Sequence, residues 1–84
     1  MDAPAARILI ADDEPDIIAF YRKKFEKAGF QVFTATNGAE ALVIAASEQP
    51  DLIIMDVKMP EMNGIAAQKK LHEAPLTKNI KVVF

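Results

Sequence analysis

Apolar and polar positions follow two alternating patterns along this chain. Short runs of aliphatic and aromatic residues predict four strands, at residues 7–11, 30–35, 52–55 and 80–84. Between the strands, apolar residues recur at helical spacing and predict three helices, at residues 15–28, 39–48 and 65–73. Strands that alternate with helices over short connections predict an α/β fold, with a parallel sheet and helices on both of its faces.

The same patterns predict which side chains face the core. The inward stripes are expected to comprise Ile17, Ile18, Tyr21, Phe25 and Ala28 in the first helix, Leu42, Ala45 and Ala46 in the second, and Ile65 and Leu71 in the third. The third strand, residues 52–55, has no polar position, which is typical of a central strand covered on both faces. Gly29 is a candidate left-handed stop for the first helix, and Thr36 or Asn37 can cap the second.

The amino-acid composition argues against several kinds of function. The 84 residues carry 10 Lys and Arg against 12 Asp and Glu, a net charge of −2 that gives no electrostatic reason to bind nucleic acid. The chain has no Cys and one His, His72, so a disulfide framework, a thiol nucleophile and a multi-histidine metal site are excluded. No apolar run approaches the roughly 20 residues that span a bilayer. We therefore expect a cytoplasmic protein with no membrane partner.

Acidic residues stand where two predicted strands end. Asp12 and Asp13 follow the first strand and Asp56 follows the third, so the three carboxylates converge if these strands are neighbours. Crowded carboxylates repel one another unless a cation compensates, and oxygen ligands without Cys or His favour Mg²⁺. An aspartate beside such an ion is also a plausible nucleophile toward phosphorus. The simpler interpretation is a solvated turn whose charges favour a helix N-terminus.

Two segments together make a family resemblance specific. Residues 8–14 (ILIADDE) and 51–64 (DLIIMDVKMPEMNG) resemble the two signatures of response-regulator receiver domains, and residues 35–42 (ATNGAEAL) are similar to the start of that family's second helix. The resemblance extends over residues 7–84 and implies a flavodoxin-like, doubly wound parallel sheet. It also implies a signalling phosphoacceptor rather than an enzyme in the ordinary sense.

The resemblance implies roles for individual residues. Asp56 would accept a phosphoryl group from a phosphohistidine on a sensor histidine kinase or a phosphotransfer domain. Mg²⁺ would be held directly by Asp13 and Asp56, through water or hydrogen bonding by Asp12, and by the backbone carbonyl of Lys58. Met59, Pro60 and Gly64 would shape the loop after Asp56.

The sequence also departs from the family pattern. Receivers have five strand–helix units, with a Thr or Ser after the fourth strand and a Lys at the end of the fifth, and this sequence stops at Phe84. We therefore predict an N-terminal arm over residues 1–6 and a partial receiver domain over residues 7–84, truncated after the fourth strand. Because the phosphate-binding residues would be missing, we expect Mg²⁺ binding to be weak and phosphorylation to be poor.

Three other functions are weighed against this one. A phosphohydrolase of the haloacid-dehalogenase type needs an acid two residues after the nucleophile, where this chain has Lys58. A dinucleotide-binding unit needs a glycine-rich turn after the first strand, where this chain has acids that would repel a pyrophosphate. The third alternative is a truncated receiver that mainly self-associates through its exposed fourth strand, burying Val82, Val83 and Phe84 in a homo-oligomer.

Overall fold

Four parallel strands form the centre of the molecule in a computed structural model, which describes residues 6–59 and 62–84. Residues 1–5 of the predicted arm, and Pro60 in the predicted loop, lie outside the described residues. The elements are β1 (Arg7–Ala11), α1 (Pro15–Lys27), β2 (Gln31–Ala35), α2 (Gly38–Glu48), β3 (Leu52–Met55), α3 (Gly64–Glu73) and β4 (Lys81–Val83). The strand order is β2-β1-β3-β4, so the predicted order of elements and the parallel sheet are confirmed.

The register of the sheet brings the ends of β1 and β3 together. Ala11 lies opposite Met55, the last residue of β3. The ladder continues one step further, because the backbone N–H of Asp56 donates to the Ala11 carbonyl at 2.9 Å. On the other side of β1, the N–H of Asp12 donates to the Ala35 carbonyl at 3.0 Å. The acids that follow these strands therefore start from neighbouring points on one edge of the sheet.

The main core lies between the sheet and helices α2 and α3. Leu9, Ile53, Met55 and Leu71 are its largest fully buried side chains. Burying a side chain of this size contributes roughly 1.5–3 kcal/mol, so these four hold much of the fold together. In the part of the chain that the structure describes, no helix has the length and apolar character needed to cross a bilayer.

The opposite face of the sheet is covered only in part. Helix α1 contacts β1 and β2 but has no fully buried residue. Ile17 and Tyr21 are 37% and 39% exposed and Ala28 is exposed too, so these three predicted inward positions of the first helix are wrong. The prediction that β3 is covered on both faces is wrong, because Leu52 and Ile54 are only half-buried on this side. Since α1 lies over β1 and β2, it leaves the adjoining half of the face without a helix among the described residues.

Two further predicted inward positions, in α2 and α3, are wrong. Ala46 is exposed, and Ile65 is 54% exposed. Helices α2 and α3 pack against each other, and small residues allow that approach. The buried positions are Gly38, Ala41 and Ala45 in α2 and Gly64, Ala67 and Leu71 in α3. The packing of α2 against α3 therefore buries a slightly different face of each helix from the one that hydrophobicity alone predicts.

The helix-end signals predicted at Asn37 and Gly29 are confirmed, and the structure adds a cap at Asn63 that the sequence analysis did not predict. The side chain of Asn37 accepts the backbone N–H of Glu40 at 2.7 Å and caps α2. Asn63 caps α3 in the same way, accepting from Ala66 at 2.8 Å. Gly29 has φ of +100°, a conformation that an L side chain rarely adopts, and it follows the end of α1.

Candidate functional site

Three carboxylates converge at the edge where β1 and β3 end. One oxygen from each of Asp12, Asp13 and Asp56 lies within 4.8 Å of the corresponding oxygens of the other two. Asp12 and Asp56 are half-buried, and Asp13 is exposed. The geometric condition of the sequence prediction, that the ends of β1 and β3 lie side by side, is therefore met.

Asp12 is held by the start of α1. Its Oδ1 accepts the backbone N–H of Glu14 at 2.9 Å. Glu14 is the N-cap residue of α1, and Pro15 occupies the first helical position, where a missing N–H costs nothing. The contact is a turn in which an aspartate side chain accepts the backbone N–H two residues later, and it fixes the orientation of the Asp12 carboxylate just before α1 begins.

Asp56 is held by the backbone on both of its sides. Its N–H extends the sheet through Ala11, and its Oδ1 accepts the backbone N–H of Lys58 at 3.3 Å. The second contact is a turn in which an aspartate side chain folds the chain that follows it. It fixes one carboxylate oxygen and at the same time brings the Lys58 backbone close to the site.

A groove of about 440 Å³ opens beside the acids, on the less covered face of the sheet. Its walls include Asp12 and Asp56 together with apolar side chains from α1, β1, β3 and the end of the chain: Ile10, Ile17, Tyr21, Ile54 and Phe84. The sequence assigned Ile17 and Tyr21 only to an apolar stripe. Their place beside the acids depends on how α1 crosses the sheet, for which the sequence alone has no signal.

The donor set suits a small divalent cation. Carboxylate and carbonyl oxygens are hard ligands, and Mg²⁺ binds proteins through one or two carboxylates while keeping several waters. Asp13 and Asp56 can supply the carboxylates, and the open side of the site leaves room for water. No soft Cys or His donor takes part, so the residues present fit Mg²⁺ better than zinc or copper.

Comparison with known proteins identifies the family. A family model described as the response regulator receiver domain matches residues 8–84. The chain belongs to the response regulator receiver family. Receivers are the signalling modules of two-component systems, and they interact with sensor histidine kinases or phosphotransfer partners. The flavodoxin-like fold that the resemblance implied is confirmed by solved receivers of the same topology.

Individual relatives support the assignment. Sporulation initiation phosphotransferase F of Bacillus subtilis is 40% identical over 78 residues, which are 93% of this chain and 61% of that protein. The chemotaxis protein CheY4 of Vibrio cholerae is 33% identical, with a TM-score of 0.88 over 93% of this chain and 65% of that one. The response regulator TrrA of Thermotoga maritima, solved in complex with Mg²⁺–BeF, is 34% identical with a TM-score of 0.84, over 92% and 65% of the two chains.

This chain matches only part of each of these relatives. The chain spans less than two thirds of the length of each of these relatives. Receivers bind Mg²⁺ at an acidic pocket, and this chain has a cluster of three aspartates where β1 and β3 end. The boundary predicted at residue 7 stays a prediction, and so do the roles of the individual site residues.

Proposed function

We propose that this receiver accepts a phosphoryl group on Asp56 from a phosphohistidine of a sensor histidine kinase or phosphotransfer domain. The observation that carries the proposal is the convergence of the Asp12, Asp13 and Asp56 carboxylates within 4.8 Å at the ends of two adjacent strands. A solvated acidic turn would not require a half-buried aspartate from a second strand to approach it.

Asp56 is the nucleophile in this proposal. One of its carboxylate oxygens attacks phosphorus, the P–N bond to the partner's histidine breaks, and an acyl phosphate forms on Asp56. The backbone contacts of Asp56 to Ala11 and Lys58 hold the carboxylate in place before the reaction. A carboxylate that is already held in place loses little orientational freedom when it reacts, so the activation barrier is lower. Positioning of this kind is a main source of rate enhancement in phosphoryl transfer.

The other acids would hold the metal. Asp13 and Asp56 would ligate Mg²⁺ directly, Asp12 would support the ion through water or hydrogen bonding, and Lys58 would offer its backbone carbonyl. When bound, Mg²⁺ neutralises charge on the phosphoryl oxygens during in-line transfer. The Mg²⁺–BeF complex of the TrrA relative supports this assignment, because a beryllofluoride resembles a phosphoryl group.

The test is binding of beryllofluoride and Mg²⁺ to the 84-residue chain and to its Asp56→Asn variant. We expect binding to the parent chain, detected by isothermal titration calorimetry or by backbone amide shifts, and at least a tenfold loss in the variant. Asp16→Asn is the matched control, because Asp16 is an exposed acid in the first turn of α1 and lies outside the cluster. Equal binding by Asp56→Asn and the parent chain would exclude a phosphoacceptor role.

A second behaviour is favoured by the uncovered half of the sheet. Strand β4 is an edge strand, and Val83 and Phe84 are 37% and 53% exposed. We propose that the 84-residue chain self-associates by burying this edge strand and the apolar residues beside it, Ile54 and Phe84, against a second copy. Covering several hundred Å² of apolar surface contributes several kcal/mol at roughly 25 cal/mol per Å².

Light scattering and sedimentation over a range of concentrations test the self-association. We expect the average mass to rise above 9.2 kDa with concentration. Val83→Lys places a charge on the edge strand, which discourages edge pairing, and should return the chain toward the monomer. Val43→Lys is the control, because Val43 is 68% exposed on α2, away from β4. A parent chain that stays monomeric at every concentration contradicts the idea.

A further inference from the structure

The start of α3 lies directly against the backbone of Asp56. Gly64 is the first residue of that helix and is buried, and its N–H donates to the Val57 carbonyl at 2.9 Å. The N–H of Asp56 donates to the Ala11 carbonyl, also at 2.9 Å. The backbone of Asp56 and Val57 is therefore held by β1 through one hydrogen bond and by α3 through another.

Gly64 has no room for a side chain. A Cβ placed on it would overlap the Asp56 carbonyl oxygen, and it would lie 3.1 Å from the Asp56 carbonyl carbon and 3.0 Å from Cε1 of Phe84. The φ of Gly64 is not positive, so its conformation alone does not require glycine. The requirement is the close approach of the helix to the Asp56 carbonyl.

We propose that Gly64 is a positioning residue for Asp56, because it lets α3 pack against the carbonyl of the residue that carries the nucleophilic carboxylate. This inference rests on the proposed function of Asp56, and it goes beyond a role in shaping the loop that follows. A shift of the whole Asp56 residue would move its carboxylate. A rotation of the carbonyl alone would move the Lys58 N–H, which donates to Asp56 Oδ1 at 3.3 Å.

The rest of α3 resists the movement that would relieve an added side chain. An ordinary contact between carbon and a carbonyl oxygen is about 3.3 Å or longer, so Gly64→Ala must separate the helix from the carbonyl by roughly 1 Å. Ala67 and Leu71 are fully buried and anchor α3 in a core whose close packing leaves little space for the helix to shift. Asp56 lies just beyond the last residue of β3, so we expect the Asp56 side of the contact to yield.

The experiment measures Mg²⁺ affinity by titration of the ¹⁵N-labelled chain, followed through the amide signals of Asp13 and Asp56. We expect Gly64→Ala to weaken Mg²⁺ binding about tenfold, as changes to residues that orient metal ligands commonly do. We also expect its Asp56 amide signal to shift before any metal is added. A Gly64→Ala variant that keeps both the parent dissociation constant and the parent Asp56 signal would overturn the positioning role.

Gly29→Ala is the matched control, because it makes the same chemical change at another glycine. Gly29 has φ of +100° and open space around its missing Cβ, so alanine there strains the backbone without touching Asp56. It should lower the free energy of unfolding and leave the Mg²⁺ dissociation constant of the folded chain unchanged. An equal loss of Mg²⁺ affinity in Gly29→Ala would contradict the proposal, since general destabilisation would then explain both variants.

A second variant provides for the case in which Gly64→Ala does not fold. Combining Gly64→Ala with Phe84→Ala removes the aromatic ring from the crowded position and leaves the overlap with the Asp56 carbonyl. Compared with Phe84→Ala alone, the double variant should bind Mg²⁺ about tenfold more weakly. If the single and the double variant are both unfolded, Gly64 is needed for folding rather than for placing Asp56, and the proposal is wrong.

A double-mutant cycle with Asp56→Asn locates the effect. In the Asp56→Asn background, Gly64→Ala should change the Mg²⁺ dissociation constant by less than about twofold, because no Asp56 carboxylate is left to misplace. A full effect that persists in that background would show that Gly64 acts on another part of the site, and it would exclude the proposed role.

Asp56→Asn by itself separates this inference from the function on which it rests. If Asp56→Asn binds Mg²⁺ as tightly as the parent chain, the proposed site is wrong. The metal-free Asp56 signal of Gly64→Ala then still shows whether Gly64 fixes the backbone at residue 56. If Asp56→Asn loses Mg²⁺ affinity and Gly64→Ala does not, only the positioning role is excluded.

Discussion

Thr77 is the one polar side chain that is buried among the described residues, with 2% of its surface exposed. Its Oγ1 donates to the Leu71 carbonyl at 2.7 Å, near the end of α3. The last carbonyls of a helix lack partners within the helix, so this hydroxyl satisfies a group that would otherwise be buried without a hydrogen bond. A single side chain thus secures the turn between α3 and β4.

The substitution Thr77→Val tests this hydrogen bond, because valine has nearly the same shape as threonine but no hydroxyl group. The change removes the donor and leaves the Leu71 carbonyl without it, so we expect the free energy of unfolding to fall by about 1–3 kcal/mol. Thr36→Val is the control, because Thr36 is exposed and its hydroxyl contacts only the Glu40 side chain, at 3.4 Å. Urea unfolding that gives the same loss for both variants would show that the buried bond contributes nothing specific.

Residue identities predicted the acidic cluster well but not its surroundings. Asp12, Asp13 and Asp56 could be placed together because parallel strands that pair in register end at one edge of the sheet. The contact between Gly38 and Met62 could not be predicted, since it joins the first residue of α2 to the residues before α3 and depends on how the two helices pack. Ile65 was assigned inward for its apolar side chain, yet it is exposed because α3 turns Gly64, Ala67 and Leu71 toward α2 and the core.

Among the elements, helix α3 begins beside the site and depends on its cap. The side chain of Asn63 accepts the N–H of Ala66. Asn63 directly follows Met62, whose carbonyl accepts the N–H of Gly38. The cap therefore joins the segment after Asp56 to a helix that contributes Ala67 and Leu71 to the core.

Asn63→Ala should lower the free energy of unfolding by about 1 kcal/mol, because it leaves a helix N-terminal N–H without its side-chain acceptor. Asn63→Asp keeps the acceptor oxygen and should behave like the parent chain, or slightly better, since a negative charge favours a helix N-terminus. Thermal unfolding followed by circular dichroism measures both variants. Equal stabilities for the alanine and aspartate variants would show that the cap does not support α3.

The molecule as a whole depends on a small core. Leu9 in β1 is fully buried between the sheet and the helices that cover its better packed face. A chain of 84 residues buries a modest share of its unfolded surface, and domains of this size are stabilised by only a few kcal/mol.

Leu9→Ala should therefore cost most of the stability. Deleting a fully buried leucine costs about 2–5 kcal/mol, which is comparable with the whole free energy of unfolding. We expect a partly unfolded population in buffer, detected by urea titration and by loss of amide signal dispersion. Val43→Ala, at a position 68% exposed, should change the free energy of unfolding by less than about 0.5 kcal/mol. A Leu9→Ala variant as stable as Val43→Ala would contradict the assignment of the core.

The strand order β2-β1-β3-β4 also governs how the chain acquires its structure. No two adjacent strands are joined by a hairpin, since every pairing closes across at least one helix, and such distant pairings slow folding. During synthesis β1 leaves the ribosome first, yet it gains its second partner only after β3 has emerged. Until then Ile8 and Ile10 lack their neighbours on one side. A partly made chain therefore exposes apolar surface of β1, and the three aspartates can first assemble only once β3 and Asp56 have taken their places beside it.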